Sequence, residues 1–565
     1  MSKKTPKAQS RREFLKKSAA MGTGAAVGVG MSALEGSAGE IRAQDIQWDR
    51  EVDVVVVGAG AGGMAAAIAA RDQGVSVLIV EQNYDIGGRA ILSGGACYLG
   101  GGTSYQKEYG IDDSPEKVFY DWTLMDQPRN RYNDREIVWK YVENSIATFD
   151  FLSENGVKWM PPGRPSRNDS VFRRPAPEQW PIASEVIVPE NRGAGLMRPL
   201  EKSARAKGVE ILLQHRMQTF VREQPTSGRV MGLTAMEVDE WYEPTGQTVN
   251  IRANNAVIFA TGGHSNNVDF RRIFDPRLTE EYQVHGDGWT PQNADGELAA
   301  MAIGASLWGA GLQTNEADAQ LSKGRFATRS NYHGLEFVPE SSNFFREKAT
   351  GIRVRDWQNV IMVKENGLRF HDETAGIRDY EYFFSAMQWT GDPEKLNGGG
   401  PIWAIFDADG VERESWIVKP PHVDPDGYFY SADTLEELAS GIDNKYQWRP
   451  MPPNSLRETV ERYNSFVDSG AGDVDFNKPR PLYKIQRPPF YAAWATPCVH
   501  DTYAGVRINT NAQVVDTTGE VIPGLYAAGE SAGGFGQHGL GRSLTFGRIA
   551  GIDAARNGRM VDGEE

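Results

Sequence analysis

The stretch "DVVVVGAGAGGMAAAIAARDQGVSVLIVEQ" (residues 53–82) constrains this chain more than any other. Asp53 to Gly60 opens with an unbroken apolar run, the pattern of a strand buried on both faces. A helix-forming segment rich in alanine follows and ends at Gly74, and "VSVLIVEQ" reads as a second buried strand. Together they form a β-α-β unit of about thirty residues. Its turn places Gly58, Gly60 and Gly63 in the G-x-G-x-x-G pattern between strand and helix. Gly58 permits the tight turn, Gly60 lets backbone amides reach a pyrophosphate, and Gly63 lets helix and strand pack closely. The helix N-terminus adds partial positive charge for the phosphates. Glu81, closing the second strand, has the spacing of a carboxylate that holds ribose hydroxyls. The expected ligand is a dinucleotide, with NAD and FAD both compatible at this point.

The rest of the chain follows this α/β style at its two ends. Residues 111–190 carry helical patterns ("SPEKVFYDWTLMD" and "DREIVWKYVENSIATFDFLSENG") and then a loop region rich in Pro and Arg, after which "GLMRPLEKSARAKGVEILLQHRMQTFVRE" reads as helix then strand. "NNAVIFATGGHSNN" reads as strand then glycine turn. From Val284 to Gln447 the pattern changes to mixed elements richer in Trp, Pro and Gly, and "VIPGLYAAGE" later returns to the strand-then-glycine style. The expected organisation is a first nucleotide-binding part at 45–283, an inserted α+β substrate (capping) domain at 284–447, and a second nucleotide-binding part at 448–565.

Residues 1–44 have the form of a twin-arginine export signal. Arg11 and Arg12 precede Phe14 and Leu15, an uncharged run from Ser18 to Leu34 follows, and small residues lie near "GSAGEIRAQ". The run is short and diluted by glycine, unlike a spanning helix, which needs about 20 predominantly apolar residues. A periplasmic or otherwise exported protein that loads its cofactor before crossing is expected, with no stable membrane insertion.

Charge narrows the partners. The formal net charge is −15, whereas a nucleic-acid binder needs a basic stripe, so no nucleic acid is expected. Two cysteines, Cys97 and Cys498, exclude a disulfide framework; each reads as a small buried apolar group, with a single bridge left open. No metal site is expected. Neither a C-x-x-C-H haem motif nor an iron–sulfur cysteine set occurs, so electrons would pass to a separate acceptor.

The end of the chain decides between the two dinucleotides. "IGGRAILSGG" (Ile86 to Gly95) follows Glu81, "AVIFATGGHS" comes later, and "YAAGESAGGFGQHGLGR" (526–542) carries six glycines. In this combination the chain resembles the flavoprotein family of fumarate reductases and succinate dehydrogenases. The resemblance implies FAD, held by a Rossmann-like domain, with Gly88, Arg89, Ser93, Gly94, Gly95, Ala260, Gly262, Gly529 and Glu530 around it. It implies that Ser543 and Leu544, opening the last helix, face the flavin ring. Membrane-bound relatives attach flavin through a histidine in an "SHT"-like turn; "GGRAILSGG" stands there instead, implying non-covalent FAD.

The resemblance also implies the chemistry, hydride exchange between flavin N5 and a carbon beside an activated carbon–carbon bond. In "LRFHDETAGIRDYEYFF", Arg378 is similar to the proton-donating arginine of soluble fumarate reductases. In "VHDT", His500 matches a carboxylate-binding histidine and Asp501 replaces its neighbour. His538 and Arg542 of "QHGLGR" stand where those enzymes carry an arginine. An acid at 501 is expected to repel a dicarboxylate. "PPFYAAW" resembles the branch of 3-ketosteroid 1,2-dehydrogenases and cyclic-ketone dehydrogenases, which implies that Tyr491 binds a ketone oxygen. Tyr380 and Tyr382 are then candidates for abstracting the α-proton, helped by Arg378. The leading expectation is dehydrogenation of a saturated cyclic ketone, cyclohexanone-like or a steroid, to the α,β-unsaturated ketone. The alternatives are reduction of an unsaturated carboxylic acid and a flavin-carrying subunit without turnover of its own.

Overall fold

The computed structural model describes residues 46–124, 128–162, 192–284, 286, 290–309, 325–329, 349–374, 386, 400–470 and 472–557. The export-signal expectation at 1–44 and the candidates Arg378, Tyr380 and Tyr382 lie outside them. Among the described residues no helix is long and apolar enough to cross a membrane.

The glycine turn holds together the larger of two main sheets. Strand β1 (Arg50–Val57) runs parallel to β2 (Val77–Val80), with helix α1 (Ala61–Arg71) crossing between them. Beyond β2 lies the parallel strand β3 (Glu210–Leu212). Strands β4 (His215–Gln224), β5 (Ser227–Val238) and β6 (Pro244–Phe259) form an antiparallel meander. The C-terminal part of β6 enters the parallel sheet, pairing Val54–Val57 with Ala256–Phe259. One long strand thus joins two kinds of sheet. Val54, Val55, Val56, Leu78, Ile79, Val257 and Ile258 are fully buried, as a sheet covered on both faces requires.

A second, four-stranded antiparallel sheet contains β8 (Ile361–Lys364), β9 (Ile402–Asp407), β10 (Phe429–Ala432) and β11 (Phe490–Trp494), in the order β10-β11-β9-β8. A two-stranded ribbon pairs β7 (Leu307–Trp308) with β12 (Gly505–Val506). One face of the four-stranded sheet carries Phe406, Phe429 and Tyr491. The other packs Trp403 and Trp494 against the helix Leu435–Gly441 and against Leu456, Val460 and Tyr463 of the helix Pro453–Ser469. The inserted unit therefore continues past the expected boundary at 447 and takes in β11. A parallel bridge between Val284 and Val499 brings its two connections together. The boundary was misplaced because "FYAAW" is buried on both faces and reads like a strand of the nucleotide-binding sheet, while its actual partners are β9 and β10. The class itself, an α/β nucleotide-binding domain with an α+β insertion, holds.

The chain returns to the first sheet with β13 (Gln513–Val515) and β14 (Val521–Ala527), the latter parallel to β6. It ends in helix α2 (Gly541–Asn557), which packs along α1. Small residues set that distance. A Cβ on Gly547 would lie 2.1 Å from the Gly62 carbonyl oxygen, and one on Gly551 would lie 2.2 Å from that of Ala66. Cys97 and Cys498 are both buried and form no disulfide.

The link from β6 to the inserted unit is held by one cation. Arg271, 1% exposed, donates to the carbonyls of Leu278 (2.9 Å), Ser265 (2.7 Å) and Tyr282 (2.9 Å), and also to that of Thr279. Burial holds its pKa down, to about 10. Removing the guanidinium strands four carbonyls in the interior. Arg271→Met is expected to cost about 3 kcal/mol, which should appear as a fall of several degrees in the thermal unfolding midpoint. An unchanged midpoint would contradict the role given to this residue.

Candidate active site

Two adjoining cavities lie where the glycine turn, the end of β6, the loop after β14 and the start of α2 converge. The first is lined by Gly58, Gly60, Glu81, Gly88, Arg89, Ala260, Gly262, Gly529, Glu530 and Ser543, among others. The second is lined by Arg89, Ser93, Gly94, Gly95, Tyr98, His500, Asp501, Glu530, His538, Arg542 and Ser543, among others. Arg89, Ala90, Glu530, Leu540 and Ser543 border both, so the two form one elongated site.

The first cavity has the chemistry of a phosphate cradle. Gly58 sits at φ +96°, and a Cβ there would lie 2.4 Å from the Ala260 carbonyl oxygen. A Cβ on Gly63 would lie 1.8 Å from the Gly58 carbonyl oxygen, so this glycine supports the turn from behind. Gly60, by contrast, has open space where its Cβ would be. It precedes α1, whose first turn has neither a side-chain cap nor an acid. Uncapped amides at a helix start attract anions. The Glu81 carboxylate accepts from the Ala59 amide (2.6 Å) and the Asn83 amide (2.9 Å). Burial raises its pKa against the pull of these amides. Sequence reasoning missed Arg216, which also lines this cavity and pairs with Asp295 at 2.8 Å. They carry no motif and meet only because β4 lies beside the helix Asp295–Ala302.

The second cavity concentrates charge. Arg89 spans its wall, donating to the Ser265 hydroxyl (2.9 Å) and the Asn266 side-chain carbonyl (2.7 Å). Arg542, 4% exposed, donates to the Phe535 carbonyl and, at 3.3 Å, to that of Thr502, while its Nε has no hydrogen-bond partner. His500 and His538 approach with ring centroids 5.3 Å apart, and Nδ1 of each is hydrogen-bonded to a different oxygen of Asp501, the His538 bond measuring 2.7 Å. Burial raises the Asp501 pKa, but the two imidazoles outweigh it and hold the carboxyl well below the usual range. An ionised carboxylate only accepts, so the proton of each bond belongs to Nδ1. Both oxygens of Asp501 are thus engaged by imidazoles while the carboxyl stays ionised. Glu530 behaves differently. Burial, then the charge of Asp501, push it up to about 7 against the pull of Arg89 and Arg542. Among the described residues its Oε2 has no hydrogen-bond partner.

Most of the expected cofactor residues meet here. Gly58, Gly60, Glu81, Gly88, Arg89, Ser93, Gly94, Gly95, Ala260, Gly262, Gly529, Glu530 and Ser543 line one cavity or both. Leu544 is fully buried behind them, and its amide donates to the Leu540 carbonyl at 3.0 Å. Of the expected catalytic residues, His500 lines the second cavity. Tyr491 lies in the aromatic layer of the second sheet, stacked on Phe406 (5.3 Å) and Phe429 (5.6 Å), and borders neither cavity.

The residues fit FAD. The glycine cradle and the uncapped start of α1 suit a pyrophosphate, and the elongated site leaves room on either side of it for two ring systems. The unpartnered Oε2 of Glu530, at the junction of the cavities, suits a hydroxyl-bearing linker between them.

Comparison with known proteins agrees with that fit. A family model described as FAD binding domain matches residues 53–543. The chain is 31% identical to the urocanate reductase of Eggerthella lenta over 515 residues, covering 89% of this chain and 75% of the relative. It is 28% identical to the acrylate reductase flavoprotein subunit of Shewanella woodyi, covering 97% of both. Among solved structures, the 3-ketosteroid-Δ4-(5α)-dehydrogenase of Rhodococcus jostii RHA1 superposes with a TM-score of 0.54 at 26% identity, over 92% of this chain and all of that one.

Two outcomes are expected from this geometry. Gly60→Ala has room in the protein alone, so the apoprotein's unfolding midpoint should stay unchanged. The added methyl intrudes where a phosphate lies, so FAD affinity measured by fluorescence titration should fall about tenfold or more. Glu530 keeps its proton up to about pH 7 when folded, against 4.5 for an ordinary glutamate carboxyl. The folded state therefore binds more protons in that window, and this group's contribution to stability falls as pH rises through it. Glu530→Gln should remove that loss, so the midpoint of the variant should gain on the parent between pH 4.5 and 7 and run level with it, at a constant offset, above.

Proposed function

The chain belongs to the FAD-binding flavoprotein family of fumarate and urocanate reductases and is an FAD-dependent oxidoreductase; from that premise we propose that it reduces a carbon–carbon double bond conjugated to a carboxylate. The observation that carries this reading is the pair His500 and His538, both bonded to Asp501, in a cavity wall that also holds Arg89 and Arg542. Two imidazoles and two guanidiniums against one ionised acid favour an anionic electron-withdrawing group.

The residues divide the work. The start of α1 and the glycine turn hold the pyrophosphate, and Glu530 holds the linker. Bound FAD supplies a hydride donor and acceptor at its ring. The start of α2, with no acid in its first turn, would offer a positive helix end to the ring and favour negative charge on it. His500 and His538 bind the substrate carboxylate and withdraw electron density, which favours hydride arrival at the β-carbon. A proton must then reach the α-carbon, and Arg378 is assigned that role by resemblance alone. Residues 88–95 offer no histidine, cysteine or tyrosine, which supports non-covalent attachment. The electrons would come from a separate donor protein or small reductant.

A second reading runs the same exchange in reverse on a saturated cyclic ketone or steroid. The likeness to the Rhodococcus dehydrogenase favours it; the placement of Tyr491 among Phe406 and Phe429 does not.

The test is anaerobic and spectroscopic. Reduced holoenzyme mixed with urocanate, fumarate, acrylate or an aryl-substituted unsaturated acid should regain the oxidised flavin spectrum with at least one of them. Oxidised holoenzyme mixed with saturated cyclic ketones or 3-ketosteroids should not bleach. Bleaching by a ketone together with silence toward every acid would replace the first reading with the second.

A further inference from the structure

Asp501 is a single carboxylate with two rings on it. His500 and Asp501 adjoin in the chain, whereas His538 comes from the glycine-rich segment before α2. The carboxylate thus ties together two segments that approach the second cavity separately. Asp501 is 9% exposed, and the side chains of His500 and His538 are 14% and 24% exposed. Both rings use Nδ1 toward Asp501, and Nε2 lies on the opposite edge of each ring. The charged groups around this trio are Glu530 from the loop after β14, Arg89 from the turn after β2 and Arg542 at the start of α2. Arg89 and Arg542 are committed to backbone and side-chain carbonyls and to the Ser265 hydroxyl.

We propose that Asp501 is the positioning residue of the substrate end, fixing His500 and His538 in the Nδ1–H tautomer so that the two rings grip one substrate carboxylate as a unit. The inference rests on the reading of the site as one for an unsaturated acid, and it adds a consequence that reading lacks. A neutral ring in this tautomer has no Nε2 proton to donate. Binding a carboxylate between the rings therefore takes up a proton from solvent for each ring that was neutral.

Substitution by the amide separates positioning from bulk. In D501N the side-chain oxygen accepts from one ring, while the amide nitrogen only donates. The other ring must then turn its Nδ1 into an acceptor and carry its proton on Nε2. The experiment uses FAD-loaded enzyme with isotopically labelled histidine, and long-range proton–nitrogen correlation reads the tautomer of each ring. Signals are identified by their loss in H500Q and H538Q. In the parent both rings should be Nδ1-protonated; in D501N one should switch. With the unsaturated acid that best reoxidises the parent, D501N should raise KM about tenfold, as expected for losing a charge-assisted bond. It should change kcat far less. Two rings that keep the Nδ1–H tautomer in flavin-loaded D501N, or an unchanged KM, would overturn the proposal. Should no acid reoxidise the parent, the functional reading falls, and the tautomer measurement alone decides whether Asp501 positions the rings.

Discussion

The close packing of α1 against α2 is the contact on which the site depends. Two helices approach within reach of backbone–backbone contact only where side chains are missing, and here Gly62, Gly547 and Gly551 provide the gaps. The consequence is directional. Residues near the starts of both helices border the first cavity, and a Cβ on Gly62 would lie only 3.3 Å from the Ser543 carbonyl oxygen. Two positive helix ends thus face one cavity, where they would suit a ligand that is negative at its pyrophosphate and, when reduced, at its flavin ring. Larger residues at the crossing would separate the helices and leave the ligand to one of them.

The second cavity uses its charges in a graded way. Arg89 and the two terminal nitrogens of Arg542 donate to protein oxygens, so these side chains shape the wall and set its potential. Asp501 is held ionised by His500 and His538, whereas Glu530 is pushed toward the neutral acid by burial and by that same ionised neighbour. Two carboxyls in one wall with opposed shifts are what a low-dielectric site produces when one has two imidazoles hydrogen-bonded to it and the other is dominated by burial and a charged neighbour. The arrangement keeps one negative charge where it orders two rings and suppresses a second where a linker must pass.

How much of this was legible in the chain follows from how local each cause is. Gly58 and Gly63 were readable because a side chain there would collide with backbone a few residues away or across one strand, and the surrounding strand and helix are visible in the same thirty residues. Glu530, Ser93 and Gly529 were readable through resemblance, as members of a recurring glycine pattern. The Leu544 amide already belongs to the helix, bonded to the Leu540 carbonyl, which the glycine pattern does not reveal. The extent of the inserted unit was obscured by β11, whose five buried residues satisfy either sheet; only its pairing with β9 and β10 decides. Tyr491 shows the same ambiguity in a side chain, since a tyrosine between two phenylalanines from neighbouring strands has nothing in its own sequence that separates it from one facing a cavity.

Asp501 marks the limit more sharply. Read along the chain, it is an acid where relatives carry a histidine, and its charge argues against an anionic substrate. In the fold both its oxygens are engaged by imidazoles, one adjacent and one 37 residues away, so on the proposed reading the same residue orders the wall that would take an anion. The sign of a side chain's effect on a ligand is set by what it already binds. A family pattern carries the cofactor's position well because backbone geometry fixes it. It carries the substrate poorly, because a handful of side chains from distant segments decide that end of the site by pairing with one another first.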